Sequence, residues 1–214
     1  QLNQLVKQMT TMMEAKSDDP VYMAREALKK HFQTYPAGDP RNTVLNEDLI
    51  KGLKSLTREE LYDWYKTAVS AEHGAIAIVG EFDPAAVKAA LEKLYGNAKK
   101  VDAKYAYERY FGEYKPVAAE RIVIDAPSKE NAVIVARVDF AASVNDEDAA
   151  ALVVADWILG GGTGLSNRLV DRLRQKEGLS YGVGSHVKLP QFGNRSSWMM
   201  SAIVAPQNLP KAEA

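Results

Sequence analysis

The chain has 214 residues, 46% of them apolar and 26% charged, which is the composition of an ordinary globular protein. A net charge of −1 supplies no basic surface for nucleic acid, and the absence of cysteine excludes disulfides, thiol nucleophiles and thiolate zinc ligands. No apolar run reaches the ~18 residues that a membrane-spanning helix requires.

The first residues, from Gln1, already read as helix without a cap or an initiating Met, so the chain is expected to be part of a longer one. Leu2, Leu5, Val6, Met9, Met12 and Met13 recur at helical spacing. Asp19-Pro20 then supplies a cap followed by a first-turn proline, and the spacing predicts a second helix to about Phe32. Two prolines and a glycine between Tyr35 and Pro40 predict a loop. Asn46 is expected to cap a short helix ending near Gly52, and Thr57-x-x-Glu60 is a capping box for the next. The short, apolar, β-branched run Gly74-Ala75-Ile76-Ala77-Ile78-Val79-Gly80 predicts a buried strand. Asp83-Pro84 opens a further helix, ended by Gly96. The tyrosine-rich stretch from Asn97 to Glu120 shows no helical stripe and reads as a linker, with a domain boundary near Val101–Val117.

The second half predicts strand, strand, helix, helix, strand, strand. The strands are expected at 121–125, 132–140, 179–189 and 196–204. Asn145 or Asp146 is expected to cap a helix reaching Leu159. Ser166 is expected to cap one ending at Gly178, with Leu165, Leu169 and Leu173 facing a core. Trp64, Trp157 and Trp198 are expected in core packing.

Metal chemistry needs ligands that converge. His31, His73 and His186 fall in neither H-x-x-E-H nor H-E-x-x-H, so no metal ligands and no catalytic residues are assigned. Leu159-Gly160-Gly161-Gly162-Thr163-Gly164 is glycine-rich, but it follows a helix and lacks the Lys-Ser/Thr of a P-loop. A helix C-cap followed by a tight turn explains it better than a nucleotide site. Arg174 lies in the last turn of its helix, Gly178 reverses the chain, and Tyr181 stands early on the next strand. A guanidinium and a phenol brought together would grip a peptide carbonyl or an oxyanion. The plain alternative is an Arg favoured by the helix dipole and a Tyr packed on a strand.

The ordered run Leu159-Gly160-Gly161-Gly162, Ser166-Asn167-Arg168-Leu169 and Leu173-Arg174-x-Lys176-Glu177-Gly178-Leu179-Ser180-Tyr181-Gly182-Val183 resembles the C-terminal-type domain of insulinase/pitrilysin zinc metallopeptidases. Ala77-Ile78-Val79-Gly80-Glu81-Phe82-Asp83 resembles the end of the preceding domain. The resemblance implies an α+β fold, with a mostly antiparallel sheet and helices packed on one face. It implies that residues 1–100 are the second half of a degenerate peptidase-like domain, 101–118 a linker and 119–214 the first half of the next. Because such domains are homologous, the two halves are expected to reassemble as one permuted domain, with the strand at Ile76 joining the second sheet; a swapped dimer is the rival.

The resemblance also implies that Arg174 and Tyr181 contact peptide substrate. Zinc is expected in another domain of the parent protein and none in this chain. The implied partners are a peptide and a catalytic peptidase half, with no nucleic acid and no membrane, and the implied compartment is the periplasm. The alternative function is a purely structural or assembly module.

Overall fold

Side-chain caps set several helix starts. The computed structural model describes residues 1–68, 75–97, 111–162 and 166–214. Helix α1 spans Leu2–Ala15. Helix α2, Pro20–His31, begins where the Asp19 carboxylate accepts from the Tyr22 amide at 2.9 Å. Helix α3, Asn46–Ser55, takes Leu45 as its N-cap residue, so Asn46 is the first helical residue rather than the cap. Helix α4, Arg58–Ala68, carries the expected capping box: Thr57 Oγ1 accepts from the Glu60 amide at 3.1 Å, and Glu60 Oε2 accepts from the Thr57 amide at 2.9 Å. Helix α5, Pro84–Tyr95, starts on the Asp83 carboxylate.

The sheet consists of β1 (Ala132–Ala141), β2 (Ser180–Lys188) and β3 (Arg195–Val204), all antiparallel, with β3 in the centre. Helix α6, Ala149–Leu159, and a π-helix, Val170–Lys176, lie between β1 and β2 in the chain. A short helix α7, Leu209–Glu213, follows β3. The fold is therefore α+β, as expected.

Register places Arg137 opposite Met199 and Val138 opposite Trp198, so Arg137 and Trp198 project from opposite faces of the sheet. On the Arg137 face, α2 packs against β1. Here the Arg137 guanidinium sits 4.5 Å over the Phe32 ring, and Arg195 donates to the Phe32 carbonyl. The buried Asp139 carboxylate clamps both arginines, at 2.7 Å to Arg137 Nε and 2.8 Å to Arg195 Nε. On the Trp198 face, Asp156 of α6 accepts from Trp198 Nε1 at 2.9 Å and from Ser185 Oγ at 2.6 Å. The apolar core lies mainly where β2 and β3 meet the π-helix: Val170, Leu179, Val187 and Ala202 are buried, and Val204 is sealed completely.

Several expectations change. Residues 75–79 form no strand and pair with none of the three strands; Val79 is 98% exposed. Residues 121–125 are likewise irregular, with Ile122, Val123 and Ile124 exposed. Both runs have strand chemistry but no neighbouring strand among the described residues, and an unpaired strand has nowhere to place its backbone hydrogen bonds except water. Trp64 and Trp157 are exposed rather than core. Asn167, not Ser166, caps the helical stretch from residue 168, its side chain accepting from the Val170 amide at 2.9 Å. That stretch continues as π-helix: the Glu177 amide reaches back to the Arg172 carbonyl at 3.0 Å, five residues away. The wider turn makes Val170 its buried position, while Leu165 lies outside the described residues.

Candidate functional site

The glycine-rich loop after α6 is shaped by close backbone approach. Gly160 closes the helix and accepts from the Ser185 amide of β2 at 3.1 Å. A Cβ on Gly160 would stand 2.7 Å from Leu169 Cδ1, and one on Gly161 would stand 2.5 Å from Asp156 Oδ2. Glycine is required here so that the loop can lie on β2 and on the Asp156 carboxylate. Asp156, buried in an otherwise apolar helix, thus ties three elements together: its side chain holds Ser185 and Trp198, and its carbonyl accepts from the Gly160 and Gly161 amides.

This loop, the π-helix and β2 line a half-open cavity of about 380 Å³, with Arg25 of α2 on a further side; Arg25, Arg174 and His186 are all exposed to solvent. Gly160, Gly162, Gly182 and Gly184 contribute backbone without side chains to its walls. Arg174 lines it from the π-helix and His186 from β2. The residues lining it include no Asp or Glu.

Tyr181 is placed differently. Ser180 pairs with Val204 and Gly182 with Ile203, so Tyr181 is the extra residue of a β-bulge. The Ser180 hydroxyl staples that bulge, accepting from the Gly182 amide at 3.2 Å and lying 2.9 Å from the Ile203 carbonyl. The Tyr181 side chain is 67% exposed and is not part of the cavity wall, although its neighbour Gly182 is. Arg174 and Tyr181 thus flank one stretch of β2, with only Arg174 in the cavity.

Arg25 and His186 are cavity residues that the sequence did not single out as a pair with Arg174. Arg25 is 149 positions from Arg174, and no spacing rule links them; only the packing of α2 on the sheet brings them to one cavity.

The peptidase context raises the question of zinc. His31 is engaged on both sides, Nε2 donating to the Ala118 carbonyl at 3.0 Å and Nδ1 lying 2.9 Å from Glu120 Oε2. His186 lines the cavity, whose lining holds no other His and no Asp or Glu among the described residues, and His73 lies outside those residues. Among the described residues no three His, Asp or Glu side chains converge on a point that would hold a metal ion. The described donor set does not fit zinc.

A three-stranded antiparallel sheet flanked by helices, with a glycine-walled cavity along one edge strand, defines the class as an α+β fold. Residues 55–214 match the family model described as the peptidase M16 inactive domain, and the chain belongs to that family. This agrees with the insulinase/pitrilysin resemblance of the sequence. The crystal structure of a peptidase M16 inactive domain from Pseudomonas fluorescens is similar, with a TM-score of 0.66 and 21% identity, over 99% of this chain and 49% of that one. The crystal structure of a protease from Helicobacter pylori is similar with a TM-score of 0.59 and 19% identity, over 76% of this chain and 39% of that one. The chain thus spans half or less of these two solved chains, and at such identities the likeness concerns the fold. No curated protein matches the chain.

Proposed function

We propose that this chain is a non-catalytic, peptide-holding part of a zinc metallopeptidase, in which Arg174 grips the peptide from inside the cavity and Tyr181 contacts it from the bulge beside it. The observation that carries this reading is the position of Arg174. It lines a cavity on the edge strand of the sheet, and the carboxylates of its own helical stretch are engaged elsewhere, Asp171 by Lys176 and Glu177 by Arg172. An edge strand offers unpaired backbone to an extended peptide, and a guanidinium beside it donates to peptide carbonyls. The zinc centre and the attacking water belong to a catalytic half elsewhere in the parent protein, which the resemblance sets in the periplasm.

The test is peptide affinity, measured by fluorescence anisotropy on the 214-residue chain. Arg174→Ala is expected to weaken binding roughly tenfold or more, the order of one charge-assisted hydrogen bond, and Tyr181→Phe by less. Equal affinity of all three proteins contradicts the reading.

A second reading, a structural or assembly module, is favoured by one observation. Helix α6 leaves Val153, Val154, Trp157 and Ile158 exposed on its outer side, a surface suited to another protein element. Unchanged peptide binding together with loss of assembly in Trp157→Ser would support it.

A further inference from the structure

Arg25 and Arg174 come from elements far apart in sequence, yet both line the cavity on β2. His186 adds a third nitrogen-bearing side chain to the same wall. Elsewhere among the described residues, five arginines are neutralised by carboxylates: Arg41 by Asp39, Arg121 by Glu213, Arg172 by Glu177, and Arg137 and Arg195 by Asp139. Neither Arg25 nor Arg174 has such a partner among the described residues. The acid next to Arg25 in the chain is committed too: Glu26 accepts from Lys29 and from the Asn46 amide. An anion seated between these two exposed guanidiniums would be attracted by both.

The wall around these charges suits a peptide-borne anion rather than a free-standing ion. A Cβ added to Gly182 would meet open space, whereas one on Gly184 would stand 3.3 Å from the Gly160 carbonyl that takes the Ser185 amide, so the strand edge is open to a second backbone at Gly182 and covered by the loop beyond it. Ser201, opposite Gly184 in the register, adds a hydroxyl to the same lining.

We infer that Arg25 and Arg174 form a two-guanidinium clamp for a carboxylate of the bound peptide, so that this chain selects acidic peptides. The inference rests on the peptide-holding reading and adds the substrate class to it. The carboxylate is either a Glu or Asp side chain or a free C-terminus; both present the same two oxygens to the planar guanidinium fork.

Three peptides of one sequence separate the sources when titrated against the 214-residue chain by anisotropy: a central Glu with an amidated C-terminus, a central Gln with an amidated C-terminus, and a central Gln with a free C-terminal acid. One of the two acids is expected to bind roughly tenfold or more tighter than the neutral peptide, and the advantage is expected to shrink as salt is raised. Arg25→Gln is expected to remove that advantage while leaving the neutral peptide's affinity within about twofold, and Arg25→Lys is expected to restore part of it. Thermal melts of the variants confirm that each is folded. Equal binding of all three peptides to the wild type overturns the clamp but leaves the peptide-holding function standing. Failure of every peptide to bind overturns both. A charge preference that survives Arg25→Gln overturns the clamp as well.

Discussion

Asp139 and Asp156 each join residues far apart in sequence, and both are carboxylates in buried places where carboxylates are costly unless fully engaged. Asp139 takes two guanidiniums that are themselves largely buried, so Asp139→Ala leaves two charges without a partner and is expected to cost about 3–5 kcal/mol in urea unfolding. Asp156→Ala orphans the Ser185 hydroxyl and the Trp198 indole N–H and is expected to cost about 2–4 kcal/mol, whereas Asp156→Asn keeps one acceptor oxygen and should cost less. Nearly equal losses for the two Asp156 variants would contradict the bonding described. The surface Asp39 behaves differently: the Arg41 guanidinium forks onto it and holds its carboxyl down to about 2, against an ordinary 3.8. Its stabilising contribution is present above the unfolded value and is lost as pH falls toward 2. A carboxyl-carbon NMR titration should give a midpoint near 2 for Asp39; a midpoint at the ordinary value would show that the Arg41 fork does not persist in solution. At this scale the sequence was legible where partners are local. The Asp19, Thr57–Glu60 and Asp83 caps could be read directly, since the bonding groups lie within three residues of one another. The Asp139 and Asp156 clamps could not, because their partners are up to 56 positions away.

Among the elements, α6 shows why hydropathy misleads. Its sequence Ala-Ala-Ala-Leu-Val-Val-Ala-Asp-Trp-Ile-Leu reads as a core helix interrupted by one charge, yet the charge points inward and the apolar outer side meets water. The Gly160–Gly161 turn and the sheet fix this orientation by bonding Asp156. Trp157 should therefore be quenched freely by acrylamide, and Trp157→Phe should remove a large share of the quenchable emission; protection of Trp157 in the monomeric chain would contradict the placement. The turn into β2 was legible, since Gly178 sits at φ +62°, where a side chain is strained. Gly178→Ala is expected to cost about 1–2 kcal/mol in urea unfolding. The π-helix and the bulge at Tyr181 were not legible, because each inserts one residue into a regular period without changing composition. They decide the site all the same: the first sets the turn that carries Arg174, and the second sets Tyr181 outside the cavity wall.

For the molecule as a whole, the class of fold and the family could be read from ordered motifs, and three of the predicted strands form within a few residues of their expected bounds. Sequence alone could not decide pairing, which depends on neighbours. The runs at 75–79 and 121–125 carry strand chemistry but stay outside the sheet, leaving β1 and β2 as its two edges among the described residues. The β2 edge is the one that matters to the proposed function, since Arg25, Arg174 and His186 gather along it. Hydrogen–deuterium exchange with and without an acidic peptide tests that claim most directly. The account expects added protection at the amides of residues 180–188 and 170–176, lost in Arg174→Ala; protection confined to other segments, or none at a peptide concentration that saturates binding, would contradict it.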